Sequence, residues 1–192
     1  MSTVATERMT LAQFDEFCLR PENQGKRLEL DEGKVVEMPP ARSTHGVLNS
    51  WISHLLWDYV LRRGRGRVLC QDTGLIVQHD PDTLRGVDIM LLDDNRMLED
   101  MPKEVLEDIP LLVVEVISPS DRMSQVDKRV DQYLHRGIPL VWIVHPEDRT
   151  ITVHRPNELS KVLDETDELT GNGVLPDFRC KVADLFRLPG QA

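Results

Sequence analysis

The chain has 192 residues, is 40% hydrophobic and 29% charged, and carries a net charge of −10; this fits a single domain over 1–192 with an ample core. No run of about 18 apolar residues could span a membrane, and residues 1–20 lack the charged-then-apolar pattern of a secretory signal, so a cytoplasmic protein is expected. The acidic balance argues against coating nucleic acid by charge alone, although a bound cation reverses the sign of a site locally.

Thr10 with Gln13 reads as a capping box ahead of Leu11, Phe14 and Phe17, which predicts a short helix over 10–20. Pro21 and Gly25 break it. Residues 27–30 and 34–38 read as a hairpin around Asp31, Glu32 and Gly33, ended by Pro39 and Pro40. The next helix is the clearest. Val47, Trp51, Leu55 and Tyr59 form one row at helical spacing, and Leu48, Ile52, Leu56 and Val60 form the adjacent one. So wide an apolar stripe has to pack against a sheet or another helix. Ser43 or Thr44 is the expected cap, and Gly64 and Gly66 end the helix.

Strands are expected at about 68–70, 75–77 and 87–92. Residues 93–110 read as acidic and irregular, with a short helix after Pro102. The run 111–117 is nearly all apolar and β-branched, the mark of a strand buried on both faces. A turn at 118–121 leads to a helix over 124–136 with Gly137 as its C-cap. A buried strand at 140–144 follows, with a hairpin partner at 151–154. Two further short strands and a helix near 182–186 close the chain. The strand–helix–strand passage over 111–144 predicts a parallel crossover in a mixed sheet. Cys18, Cys70 and Cys180 lie far apart, are odd in number and form no C-x-x-C pair, so neither a thiolate zinc site nor a disulfide framework is expected.

Two acids stand where acids are costly. Glu115 interrupts the strand Leu-Leu-Val-Val-Glu-Val-Ile, and Asp88 interrupts Gly-Val-Asp-Ile-Met-Leu-Leu. A buried carboxylate needs a partner or a metal. If the two strands are neighbours, both side chains can face one point and offer the oxygen ligands that Mg²⁺ or Mn²⁺ takes. The plainer alternative is that each acid sits at a strand end near water or pairs with an internal Arg.

An Asp followed by a Glu on a later apolar strand resembles the PD-(D/E)XK nuclease core. More closely, the chain resembles the Uma-type family of restriction-endonuclease-like proteins, a bacterial family largely of unknown function. The stretches that carry the resemblance run from Arg27 to Pro40, through His45 and Arg85-Gly-Val-Asp88, to Pro110-Leu-Leu-Val-Val-Glu-Val-Ile-Ser-Pro-Ser-Asp121. Tyr133 to Gly137, Val141 to Pro146, Val174 to Arg179 and Ala183 to Phe186 extend it over nearly the whole chain. It implies an α/β fold: a restriction-endonuclease-like mixed β-sheet flanked by helices, with an N-terminal helix and hairpin. It also implies Asp88 and Glu115 as metal carboxylates, Glu29 as a further acidic residue, and metal-dependent hydrolysis of DNA by a cytoplasmic endonuclease. A homodimer would suit the symmetry of duplex DNA.

This sequence departs from the family pattern at three places. Val87 stands where the family has Pro, Ile117 stands where the nuclease core often has Lys, and Arg129 occupies the helix slot of the family's Lys, with Lys128 beside it. On a helical wheel Val126, Val130 and Tyr133 define the buried face, Arg129 lies next to it and Lys128 points roughly the other way. Arg129 is the better placed and Lys128 has the more usual chemistry, since Arg cannot give up its proton. Both remain candidates, and a catalytically silent module binding DNA or a protein is the competing reading. His45 could approach a phosphate or simply begin a helix. Gln71 and Asp72 sit at a strand-to-turn junction. The cluster Arg62, Arg63, Arg65 and Arg67 could clamp a DNA backbone or neutralise a helix terminus. Trp51 and Trp57 read as core or a dimer face.

Overall fold

In the computed structural model, residues 8–187 other than 104 and 120 are described. The chain forms α1 (Leu11–Cys18), β1 (Arg27–Asp31), β2 (Lys34–Met38), α2 (Ser43–Arg63), β3 (Arg67–Gln78), β4 (Thr83–Leu92), β5 (Leu112–Val116), α3 (Met123–Arg136), β6 (Val141–His145), β7 (Thr150–His154), β8 (Lys161–Leu163), β9 (Glu168–Thr170), β10 (Arg179–Lys181) and α4 (Val182–Phe186). The capping box at Thr10 forms as expected, with the Gln13 amide N–H donating to Thr10 Oγ1 and the Thr10 N–H donating to Gln13 Oε1.

Eight strands make one sheet in the order β2-β1-β4-β5-β6-β7-β8, with β3 also paired to β4, while β9 and β10 pair separately. The β5–β6 pair is parallel, with α3 as its crossover, and the other pairs of the large sheet are antiparallel. β4 organises the molecule. One of its edges carries β3 along almost its full length. The other edge carries β1 at Leu84 and β5 at Ile89–Leu91. Residues 85–88 therefore lie where two neighbouring strands part, the kind of sheet discontinuity at which ligand clefts form.

The side chains of β4, β5 and β6 alternate between two cores. Ile89, Leu91, Leu112, Val114, Trp142 and Val144 pack under α2 with Leu48, Ile52 and Leu56. Met90, Leu92, Val113, Val141 and Ile143 pack under α3 with Val126, Val130 and Tyr133. Burying each such side chain contributes about 1.5–3 kcal/mol. These three strands are covered on both faces, which is why they read as continuous apolar runs.

Several local expectations are corrected. Ser43 and Thr44 do not cap α2. The helix begins at Ser43, and its N-cap is Arg42, which makes no side-chain capping bond. The separate strands expected at 68–70 and 75–77 are one strand, interrupted by a bulge between Cys70 and Thr73 where Gln71 and Asp72 take φ of 65° and 57°. β4 begins at Thr83 rather than near 87. A 3-10 turn forms at Leu98–Asp100, before Pro102 rather than after it; the expected helix after Pro102 includes residue 104, outside the described residues. The tail holds three short strands rather than two.

Gly137 ends α3 with φ 98°, and its N–H bonds the Leu134 carbonyl. A Cβ there would meet only Ile109 Cδ1 at 3.8 Å, so the backbone conformation alone resists a side chain. Gly137→Ala is expected to cost about 1–2 kcal/mol, which thermal unfolding reads as a fall of about 2–8 °C. An unchanged melting temperature would show that the helix end is not held in this conformation.

Candidate active site

The pairing of β4 with β5 places the site. Antiparallel pairing runs Ile89↔Val114, Met90↔Val113 and Leu91↔Leu112. Asp88 and Glu115 stand next to the first of these pairs, and the Val116 N–H donates to Asp88 Oδ2 at 2.8 Å. The two acids are 6% and 7% exposed and line one cleft of about 60 Å³. Glu29, His45, Asp72 and Arg129 line it too. The juxtaposition of Asp88 and Glu115 expected from the sequence is present.

Asp88 is held through one oxygen. Its Oδ2 accepts the Val116 N–H at 2.8 Å and sits 3.0 Å from His45 Nε2. Oδ1 has no protein partner among the described residues. The bond to Asp88 pushes the His45 imidazole above its ordinary value, against the opposing effect of burial. Asn49 steadies the same ring, with Nδ2 3.4 Å from His45 Nδ1.

Glu115 accepts the Tyr133 hydroxyl at 2.5 Å and lies 3.5 Å from Arg129 Nη1. Burial, reinforced by the charge of Asp88, pushes its carboxyl up to about 8, and Arg129 offsets this only in part. Two carboxyl groups buried together resist ionising together. Burial disfavours the Arg129 charge, but Glu115 and Glu29 outweigh that and raise its affinity for the proton further. The side chain is a fixed cation over the cleft, with Nη2 3.7 Å from Glu29 Oε2.

A second layer of charge supports the first. Glu29 and Asp31 alternate onto one face of β1, and both meet Arg85, which is buried on β4. Arg85 Nη1 donates to Glu29 Oε2 at 2.9 Å and Nη2 donates to Asp31 Oδ1 at 2.6 Å. Gln132 Oε1 accepts from Arg85 Nε and Nη2 at 3.1 and 2.7 Å. The Gly86 N–H donates to Glu29 Oε1 at 3.2 Å. Glu29 therefore lines the cleft while being saturated with structural partners.

Helical spacing on α3 divides the two basic candidates. Arg129 and Tyr133, four apart, address Glu115. Lys128 and Gln132, also four apart, address Asp31. Lys128 Nζ is bound 2.9 Å from Asp31 and 3.0 Å from Glu32. It does not point away from the sheet, as the wheel implied, but grips the hairpin turn. It is absent from the lining of the carboxylate cleft. The sequence reading left Arg85, Asp31 and Gln132 without roles. An Arg inside an otherwise apolar strand, three residues before Asp88, was the available signal.

Of the other candidates, His45 is brought to the site and Asp72 reaches it, ion-paired to Arg27. The Arg62, Arg63, Arg65 and Arg67 cluster is tied to Asp58, Asp93 and Asp94. Trp51 docks α4 through Nε1 and the Asp184 carbonyl at 2.8 Å. The three cysteines are free thiols.

Hard carboxylate oxygens are the donors that Mg²⁺ and Mn²⁺ prefer. Among the described residues no group of three or more His, Cys, Asp or Glu side chains is arranged to hold an ion. Mg²⁺ does not need one: it is commonly bound by one or two carboxylates, with water and substrate phosphates completing its shell. The pair fits such an ion, and a cation between the two carboxyl groups would relieve the repulsion that raises Glu115.

A mixed sheet flanked by helices, with two buried acids where two strands part, places the molecule among nuclease-fold α/β proteins. The chain belongs to the Uma2 family, whose description is "Putative restriction endonuclease" and whose profile matches residues 11–183. It is also similar to a protein from Anabaena variabilis ATCC 29413, solved at 1.96 Å and described as "a putative nuclease belonging to DUF820". The TM-score is 0.76 at 21% identity, over 90% of this chain and 96% of that one. A search of curated proteins gives no match. No helix among the described residues is long and apolar enough to cross a membrane.

Proposed function

We propose that this protein is a metal-dependent endonuclease that hydrolyses DNA phosphodiester bonds, with Asp88 and Glu115 as ligands of Mg²⁺ or Mn²⁺. One observation carries the reading: two buried carboxylates from the neighbouring strands β4 and β5 line one cleft beside the Arg129 guanidinium. When bound, the ion would lower the pKa of a coordinated water and neutralise charge on the phosphate. The protein's own groups divide the remaining work. His45 and the Val116 N–H orient Asp88 from Oδ2. Tyr133 orients Glu115. Arg129, always charged, stabilises negative charge developing on the phosphate but cannot take a proton. Glu29 helps hold Arg129 through Nη2, while Nη1 meets Glu115. A homodimer in the cytoplasm, with one cleft for each strand, belongs to this reading, and light scattering on a sizing column tests the stoichiometry.

Glu115→Gln is expected to weaken Mn²⁺ binding by at least tenfold without unfolding the protein. The amide oxygen can still accept from Tyr133, and Arg129 keeps Glu29. Calorimetric titration of Mn²⁺ into both proteins is the measurement, and equal affinities would remove Glu115 from the metal site.

A second reading has its own support. Arg129 stands in the Lys slot and Lys128 is committed to Asp31 and Glu32, so no lysine serves the cleft, which suits a catalytically silent module that binds DNA or a protein. Plasmid nicking with Mg²⁺ and Mn²⁺, by wild type and by Asp88→Ala, separates the two. Cutting lost in the variant supports the nuclease, and no cutting by either supports the silent module.

A further inference from the structure

α2 begins with a residue that does not suit a helix start. Its N-cap is Arg42, with φ −82° and ψ 161°, and the side chain makes no capping bond. Ser, Thr, Asp and Asn serve best at this position, because a short side-chain oxygen accepts from a free N–H of the first turn. Arginine has no acceptor to offer. Its charge is also of the wrong sign, since the N-terminal end of a helix is positive and repels a cation. No acidic residue in the first turn offsets this. At the other end of the same helix, Arg62 and Arg63 complement the dipole. Packing gives no reason for the arginine either, because Arg42 is exposed.

What Arg42 does have is a place on the carboxylate cleft, which Arg27 and Arg129 also line. Those two arginines are committed: Arg27 is paired with Asp72, and Arg129 meets Glu115 and Glu29 at 3.5 and 3.7 Å. Arg42 has no hydrogen bond or ion pair among the described residues. Carboxylates outnumber guanidinium groups along the cleft, so an anionic strand entering it needs a cation that is not already paired. His45 bonds Asp88 and lies three residues further along α2, about 4.5 Å along the helix axis. Arg42 is therefore within one helical turn of the residue that touches the proposed metal ligand. On its other side Arg42 borders a cavity of about 410 Å³ lined by Asp121, Glu147 and Asp148. Those charges repel a phosphate backbone, which favours the cleft side of Arg42. An anion beside Arg42 would also relieve the repulsion between its charge and the helix end.

We propose that Arg42 is a substrate-binding residue whose guanidinium takes a backbone phosphate of the DNA strand beside the scissile one. The inference rests on the nuclease reading for its substrate. It accounts for arginine at the N-cap as a contact kept against the stability of α2. A phosphate contact fixes the position of the strand and carries no preference for its sequence.

The test is fluorescence anisotropy of a short labelled DNA duplex in Ca²⁺ at several salt concentrations, with wild type, Arg42→Ser and Arg42→Lys. Melting temperatures of the three proteins and Mn²⁺-dependent plasmid nicking by wild type are measured alongside. Arg42→Ser is expected to weaken binding about 3–10-fold. The slope of log affinity against log salt should become shallower by about 0.9, the share of one phosphate contact. Its melting temperature should rise by about 2–4 °C, because the new hydroxyl caps α2 and the misplaced charge is gone. A merely structural arginine would not give weaker binding together with a more stable fold. Arg42→Lys should recover most of the affinity and the wild-type slope. Wild-type affinity and slope in Arg42→Ser would overturn the assignment, and so would weaker binding with a lower melting temperature. In either case nicking by wild type leaves the nuclease reading standing. The expected changes in binding and melting without any nicking would support the Arg42 contact and sink the hydrolysis. No binding and no nicking by wild type would overturn both.

Discussion

Asp88→Asn is expected to reduce metal-dependent DNA cutting at least ~100-fold while leaving the fold intact. The substitution keeps the shape of the side chain and an oxygen able to accept the Val116 N–H, the bond that ties β4 to β5 at this point. His45 can still bond it, so the start of α2 stays docked. What disappears is the negative charge. A divalent ion binds a carboxylate far better than a neutral amide, so the substitution leaves Glu115 as the one carboxylate of the pair. Plasmid nicking in Mn²⁺, followed with circular dichroism on the same samples, checks both halves of the expectation. An Asp88→Asn protein that cuts at the wild-type rate would show that the chemistry lies elsewhere.

Arg85→Ala is expected to be the most destabilising single substitution near the site. Arg85 is buried and gives four hydrogen bonds, to Glu29, Asp31 and twice to Gln132. Removing it leaves the Glu29 carboxylate buried with only the Gly86 N–H and the more distant Arg129. Breaking a buried ion pair from one side costs about 3–5 kcal/mol, because the abandoned charge keeps its desolvation penalty. For a chain of this size that corresponds to a fall of about 6–20 °C in melting temperature. The double variant Arg85→Met with Glu29→Leu is expected to recover much of the loss, since it removes both charges. Thermal unfolding of the three proteins tests this, and a shift under about 2 °C for Arg85→Ala would show that the network does not hold β1 to β4.

Much of this arrangement was legible in the sequence, for identifiable reasons. Strands 111–117 and 140–144 and the helix between them were readable because burial on both faces writes continuous apolar runs, and a crossover helix writes its own period. The pairing of Asp88 with Glu115 was readable because acids in apolar strands are anomalies with few solutions. The bulge at Gln71 and Asp72 was not readable. Neither residue is the glycine that usually marks a left-handed position, so the local pattern divides one strand into two. The cap of α2 was misplaced because serine and threonine also sit inside first turns. The roles of Lys128 and Arg85 depended on β1 lying beside β4, a pairing between residues 54 or more apart in sequence that local patterns do not encode. A helical wheel gives the direction of Lys128 from its own axis but not the hairpin turn that comes to meet it.

The account turns on whether Asp88 and Glu115 hold one divalent ion together. Crystals soaked in Mn²⁺ and measured at a wavelength where manganese scatters anomalously give the answer directly. A single strong anomalous peak within bonding distance of both Asp88 Oδ1 and a Glu115 oxygen is the predicted result. A peak bound to neither carboxylate, or none at saturating Mn²⁺, would contradict it.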